Sequence, residues 1–287
     1  MSNKKNYLKL LRPTHWVKNL IIALPLVLSL KIDFTTLPKF IIGFISFSFL
    51  ASAGYILNDI RDIENDRAHP IKMNRPLANG SINLSNALLV ALTLIIISIS
   101  LSFYLGRIPF YICIFYFSLN YFYSITGKQI RFIDIIILSS FYIIRIFYGA
   151  SLNDIPLTGW FLATLTLAVL SLSSHKRYME CKNSKHEEIP GRGYNKKHEL
   201  FLQIIMINFA LGSIILLNIH AYFVLNILSP IFYVLLNLFG ASIIFFYFDD
   251  TNDKSEDPVN RIIKNKKLLI TLVLFLMIYT YEILNKK

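Results

Sequence analysis

The sequence predicts an all-α, polytopic membrane protein, and three observations predict it. Of 287 residues, 55% are hydrophobic and 16% charged, with a mean hydropathy of +0.54, a balance foreign to soluble domains. Apolar runs close to the ~20 residues that cross a bilayer recur along the whole chain. Lysine and arginine gather in alternate polar islands between those runs.

Nine runs are expected to span: Trp16 to Ile32, Leu37 to Leu57, Leu84 to Leu105, Ile108 to Ser124, Phe132 to Leu152, Leu157 to Ser174, Leu200 to Asn218, Ser229 to Phe248 and Lys267 to Leu284. The segment through Lys18 carries five Lys or Arg, and the loops after spans two, four, six and eight carry four, two, seven and, counting Lys267 at the head of span nine, five. The opposite connectors hold only Lys31, Lys39 and Arg107. Positive charge stays inside, so the N-terminus and the even loops are expected on the cytoplasmic side of the cytoplasmic membrane. The basic N-terminus is followed by no small-residue cleavage site and is expected to be retained.

The apolar runs leave no room for a separate soluble domain, and residues 1–287 are expected to form one transmembrane domain. A net charge of +12 distributed between spans forms no single basic face, which argues against a nucleic acid partner and for phosphorylated substrates and the anionic lipid of the bilayer. Cys113 lies in an apolar run and Cys181 in a polar loop, so no disulfide framework is expected.

The chemistry is concentrated in Asn58 to Pro76, NDIRDIENDRAHPIKMNRP. If the preceding helix continues, Asn58, Asp59, Asp62 and Asp66 recur at three- and four-residue spacing and share one face. Carboxylates so spaced repel one another, and a hard cation relieves that repulsion. Mg²⁺ fits: it takes oxygen ligands and is commonly shared between one or two carboxylates and a substrate phosphate. Arg67, His69, Lys72 and Arg75 follow as candidate phosphate holders, and Pro70 and Pro76 turn the chain into a loop. A solvated basic loop is the plain alternative; the Asn-Asp-Asp-Asp register favours the metal site.

Other islands add candidates. At the first membrane entry, Lys18 and Asn19 stand beside Arg12 and Trp16, where an aromatic belt with snorkelling lysines is an equal explanation. Tyr123, Lys128, Arg131 and Asp134 follow span four, and Lys176, Arg177, Tyr178 and Glu180 follow span six. Arg145 lies inside span five, where a charge costs about 2.5 to 3.5 kcal/mol and must face the bundle interior and a partner. Asp134, Leu138, Phe141 and Arg145 share a helix face; a salt bridge to another helix is the structural alternative.

The register Asn58, Asp59, Asp62, Asp66 resembles the first aspartate-rich motif of the UbiA superfamily of intramembrane prenyltransferases. The continuation His69-Pro70, Lys72 and Arg75-Pro76, with Lys18-Asn19, Lys128, the lone Asp134, Arg145 with Gly149, and Lys176-Arg177, is similar to its decaprenyl-phosphate phosphoribosyltransferase branch. Ile137 and Leu138 stand where many aromatic prenyltransferases of the superfamily carry a second acidic motif, and Asn265-Lys266 replace an expected Asp-Arg after Glu256-Asp257-Pro258. The resemblance implies a helical bundle around a cavity open to the cytoplasm and sideways to lipid. It implies Mg²⁺ held by Asn58, Asp59, Asp62 and Asp66, with Asp59 and Asp62 central to catalysis, and transfer of 5-phosphoribose from phosphoribosyl diphosphate to a polyprenyl phosphate. Two alternatives stay open: prenyl transfer from a polyprenyl diphosphate to an aromatic or other acceptor, and a transporter using Arg145 and Asp134 as an intramembrane ion pair. Transporter sites gather near the midplane on broken helices, whereas these polar groups crowd the span ends.

Overall fold

Helices supply every regular element among the described residues of the computed structural model, namely 2–68, 72–184, 187–189, 191–248, 261–262 and 264–284. Their order is α1 (Ser2–Leu11), a 3₁₀ helix (Pro13–Ala23), α2 (Leu24–Leu28), α3 (Thr36–Arg61), α4 (Ile63–Ala68), α5 (Leu84–Leu105), α6 (Arg107–Ile125), α7 (Ile133–Ser151), α8 (Gly159–Asn183), α9 (Glu199–Phe223), α10 (Pro230–Phe248) and α11 (Lys266–Leu284). Among the described residues six helices, spanning Thr36–Arg61, Leu84–Leu105, Arg107–Ile125, Ile133–Ser151, Lys196–Phe223 and Pro230–Phe248, are long and apolar enough to cross a membrane. They match the second, third, fourth, fifth, seventh and eighth of the nine expected spans.

The other three differ for visible reasons. Trp16 to Ile32 is not one α-helix: it begins as 3₁₀ helix, continues through α2 and ends in irregular chain before Thr36. The expected sixth and ninth spans are helical as α8 and α11 but fall outside the six; α8 dilutes its apolar length with Ser171, Ser173, Ser174, His175, Lys176 and Arg177. The expected feature Glu256-Asp257-Pro258 lies outside the described residues, as do His69 and Pro70.

The chain divides into two compact units. The first comprises Met1–Thr126 and Ile144–Pro156. In its eleven-residue 3₁₀ segment, side chains three apart eclipse one another, so Trp16, Asn19 and Ile22 form one edge. Small residues on α3 receive that edge: Trp16 Nε1 donates to Ser52 Oγ (2.9 Å) and Asn19 Nδ2 to Ser48 Oγ (3.0 Å), with Asn19 and Ile22 buried. Serines also join α3 to α5, where Ser46 Oγ donates to Ser98 O (2.8 Å) and lies 2.8 Å from Ser102 Oγ. Small and hydroxyl residues allow the close, bonded helix contacts that membranes favour.

Gly149, on the part of α7 that belongs to this unit, is required by the same packing. A Cβ there would lie 2.0 Å from the carbonyl oxygen of Ile22, a backbone atom that cannot swing aside. Gly149→Ala is expected to destabilise the protein by about 1–3 kcal/mol or more, read as a lowered midpoint of thermal unfolding in detergent. An unchanged midpoint would mean that the 3₁₀ segment does not approach α7 this closely.

The second unit comprises Gly127–Ile143 and Leu157–Lys287. Ser139 on α7 donates to Val169 O on α8 (3.2 Å), and Ser171 on α8 donates to Met206 O on α9 (2.7 Å). Ala221, Ile227, Phe232, Leu236 and Tyr279 close an apolar cluster among α9, α10 and α11. Between α8 and α9 the chain doubles back through a bridge pairing Glu188 with Asn195, turning at Gly191, whose φ of +71° suits glycine.

Candidate functional site

In the first unit, α3 delivers Asn58 and Asp59 at its last turn and α4 delivers Asp66. The helix breaks at Asp62 (φ −94°, ψ 13°), yet Asp62 N still donates to Asn58 O (3.0 Å) and Asp66 N to Asp62 O (2.8 Å). The four-residue backbone register therefore survives the kink. Asp59 and Asp66 are both 3% exposed, so each needs a cationic partner.

Arginines supply it. One terminal nitrogen of Arg12 lies 2.6 Å from both carboxylate oxygens of Asp59. Arg75 spans the two acids, donating from Nη1 to Asp59 Oδ1 (3.0 Å) and Asp66 Oδ2 (2.6 Å). Two carboxylates and two guanidiniums thus interleave at one end of α3. Asn58 Nδ2 donates to Asp62 Oδ2 (3.2 Å), and both residues are part-exposed. Arg67 Nε donates to Ala78 O (3.2 Å), pinning the loop that carries Arg75. Lys72 is exposed, and Lys18, Tyr123, Lys128 and Lys176 are half-buried.

Among the described residues no group of three His, Cys, Asp or Glu side chains is gathered as a metal site. The donor types are those a hard dication takes, carboxylate and amide oxygens, with Asn58 and Asp62 part-exposed; at Asp59 and Asp66 the guanidiniums of Arg12 and Arg75 hold the carboxylate oxygens.

Arg12 was visible in the sequence only as a neighbour of the first membrane entry, 47 positions from the acid it binds. In the structure Arg12 adopts φ 51° immediately before Pro13. A left-handed arginine is costly and must be held by its surroundings.

Deeper in the same unit, Arg145 is buried. Its Nε donates to Asn19 Oδ1 (2.8 Å), its Nη2 to the Tyr116 hydroxyl (3.2 Å), and its guanidinium lies 5.2 Å from the ring centroids of both Phe47 and Tyr116. These contacts satisfy the expectation that an intramembrane arginine turns inward. Tyr116 gave no sequence signal beyond one aromatic among many.

The second unit holds a separate cluster. Asp134, fully buried, accepts from Arg177 Nε and from the Tyr194 hydroxyl (2.6 Å). Arg177 also donates to Glu180, which faces Arg192 at 3.5 Å. Tyr194 further accepts from Phe132 N (2.8 Å), so one phenol ties the α8–α9 loop to the start of α7. Burial raises the Tyr194 pKa, and its bond to Asp134 adds to the rise; the phenol stays a donor. Tyr178 packs into the apolar cluster around Met179 and Leu202, its hydroxyl accepting from Lys182 (3.1 Å).

Burial pushes the Glu180 carboxyl up, but Arg177, Arg192 and Lys176 outweigh it and bring the pKa down from 4.5 to about 2. A depressed acid stabilises the fold above its unfolded pKa, and that stabilisation is lost as the pH falls from about 4.5 toward about 2. Glu180→Gln is accordingly expected to lower stability at pH 7 and to flatten its acid dependence over that window, measured by denaturant titration; an unaltered acid limb would contradict this.

Long apolar helices bounded by buried ion-pair clusters define an integral, multi-pass helical membrane protein. The sequence profile of the UbiA prenyltransferase family matches residues 19–273, and the chain belongs to that family. A decaprenyl-phosphate phosphoribosyltransferase of Corynebacterium glutamicum is 38% identical over 178 residues, covering 60% of this chain and 54% of that protein. The protein of the same name in Mycobacterium tuberculosis is 35% identical over 177 residues, covering 60% of this chain and 59% of the relative. The chain thus spans little more than half the length of these curated relatives. Among solved structures, a UbiA homologue of Archaeoglobus fulgidus bound to GPP and Mg²⁺ superposes with a TM-score of 0.72 at 16% identity, over 97% of this chain and 99% of that one.

Proposed function

We propose that the protein transfers 5-phosphoribose from phosphoribosyl diphosphate to a polyprenyl phosphate at the cytoplasmic face of the cytoplasmic membrane, releasing diphosphate. The observation that carries this reading is the interleaved cluster of Arg12, Asp59, Arg75 and Asp66. Its carboxylates suit a dication shared with a diphosphate, and its guanidiniums suit the phosphate oxygens themselves. Support for this branch comes from the two phosphoribosyltransferase relatives and from Asp134, which is engaged by Arg177 and Tyr194.

In the transfer, a phosphate oxygen of the lipid forms a bond to the anomeric carbon of the ribose as the bond from that carbon to the diphosphate breaks. Asp59, Asp62, Asp66 and Asn58 would hold Mg²⁺, which supplies charge neutralisation to the leaving diphosphate. Arg12 and Arg75 orient the diphosphate, and Lys18 and Lys72 add positive charge around it. Arg177 is assigned to fixing Asp134 and Glu180. No strong base is required, because a phosphate monoester is largely ionised at pH 7.

Isothermal titration of the purified protein tests the reading. Phosphoribosyl diphosphate is expected to bind in the presence of Mg²⁺, and binding is expected to weaken at least ten-fold after chelation and in Asp62→Ala. Binding indifferent to both would remove the aspartates from the donor site.

A further inference from the structure

The α8–α9 loop builds a second site, whose residues take no part in the transfer proposed above. Arg131, Glu188, Ile189 and residues 191–195 line an open cleft of about 580 Å³. Its floor is fixed: Gly193 packs so tightly that a Cβ would lie 2.5 Å from Gln129 O, and Tyr194 is tied to Phe132 and Asp134.

Charge and position say what the cleft receives. Arg131, Arg192 and Glu188 line it, and Arg192 also faces Glu180 at 3.5 Å. Arg131 donates from Nε to Gly193 O (2.9 Å) and from Nη1 to His198 Nε2 (2.9 Å). A guanidinium has five N–H donors in a planar fork, so this one is held rigid with donors to spare. Lys196 and Lys197, both exposed, follow directly at the head of the membrane-crossing helix Lys196–Phe223.

Immediately beyond these cations the surface becomes apolar. Phe132, directly before α7, meets Phe201 of α9 edge-on at 5.4 Å, which sets the two helix starts side by side. Leu200, Phe201, Ile204, Leu211 and Ile215 are all exposed along α9, and Ile133 and Ile136 on α7. A basic cleft over an apolar stripe, at the end of a membrane helix, matches an amphiphile with an anionic head.

We propose that this cleft seats the phosphate of an anionic membrane phospholipid, with its acyl chains along the exposed face of α9. Arg131, Arg192 and the Lys196-Lys197 pair hold the head; Phe201 and Ile204 receive the first methylenes.

Native mass spectrometry of the detergent-purified full chain, offered equimolar phosphatidylglycerol and phosphatidylcholine of matched acyl chains, tests the assignment. The wild-type protein is expected to retain phosphatidylglycerol preferentially, and each basic group removed is expected to reduce that preference by about five-fold. Arg131→Gln also loosens the loop, so Lys196→Gln with Lys197→Gln, both at exposed positions, is measured beside it. No preference in the wild-type protein, or a preference unchanged in both variants, overturns the proposal. Displacement of phosphatidylglycerol by millimolar inorganic phosphate would make this a pocket for soluble anions, and selective displacement by polyprenyl phosphate would make it an acceptor site; either result also overturns it. Because none of these variants touches the Asp59 cluster, failure here is separable from failure of the transferase reading, which the Asp62→Ala titration decides.

Discussion

Asp62→Ala is expected to lower turnover by about 100- to 1,000-fold while leaving the protein folded. Asp62 is part-exposed at the kink between α3 and α4, and its carboxylate accepts from its neighbour Asn58. Replacing it leaves the buried Asp59–Arg75–Asp66 bridges in place, so the stability cost is expected to stay below about 1 kcal/mol. Asp59→Ala is a less clean probe, because Arg12 and Arg75 both lose a buried partner. The decisive pair of measurements is single-turnover rate and unfolding midpoint on the same Asp62→Ala preparation. Near-normal turnover with an unchanged midpoint would remove Asp62 from the chemistry.

The largest loss of stability is expected from Asp134→Ala. Arg177 is 1% exposed and Asp134 fully buried, so deleting the acid leaves a guanidinium deprived of a carboxylate and the Tyr194 hydroxyl without its acceptor. Removing one partner of a buried pair costs about 3–5 kcal/mol. Glu180 still faces Arg177 and softens the loss, which places the expected value toward the lower end. Tyr194→Phe removes two hydrogen bonds, the one it donates to Asp134 and the one it accepts from Phe132 N, and is expected to cost about 1–3 kcal/mol. Chemical denaturation of both variants in mixed micelles reads the difference; an Asp134→Ala protein as stable as Tyr194→Phe would mean that the ion pair contributes no more than the phenol.

How far the sequence reached depends on the range of the forces involved. The long apolar runs were legible because bilayer crossing is a local demand on composition, and α3, α5, α6, α7, α9 and α10 lie close to where they were expected. The first span was not, because its 3₁₀ geometry depends on partners far away in the chain: Ser48, Ser52 and the bare backbone at Gly149 accept an edge that periodicity reads as an ordinary helix.

The site divides in the same way. The backbone register of Asn58, Asp62 and Asp66 was legible from spacing, since its bonds continue across the kink; that the aspartates are not gathered as one group of three was not. Arg75 lay close enough in sequence to be included. Arg12 and Tyr194 were missed, and both reach their acids over separations of 47 and 60 residues. Nothing local marks an arginine or a tyrosine as the partner of a distant carboxylate. Arg177, a candidate by its place after the sixth span, is buried on Asp134 and Glu180, a commitment that only packing reveals.

The central claim is tested most directly by donor competition on the purified protein with Mg²⁺. Labelled phosphoribosyl diphosphate with polyprenyl phosphate is offered in parallel with a polyprenyl diphosphate and an aromatic acid, and the lipid-phase products are identified by mass. A phosphoribosylated polyprenyl phosphate, formed by the wild-type protein and lost in Asp62→Ala, is the predicted result. A prenylated aromatic product with no ribose in the lipid phase would contradict it, keeping the family and the aspartate cluster but assigning the diphosphate to the lipid instead of the sugar.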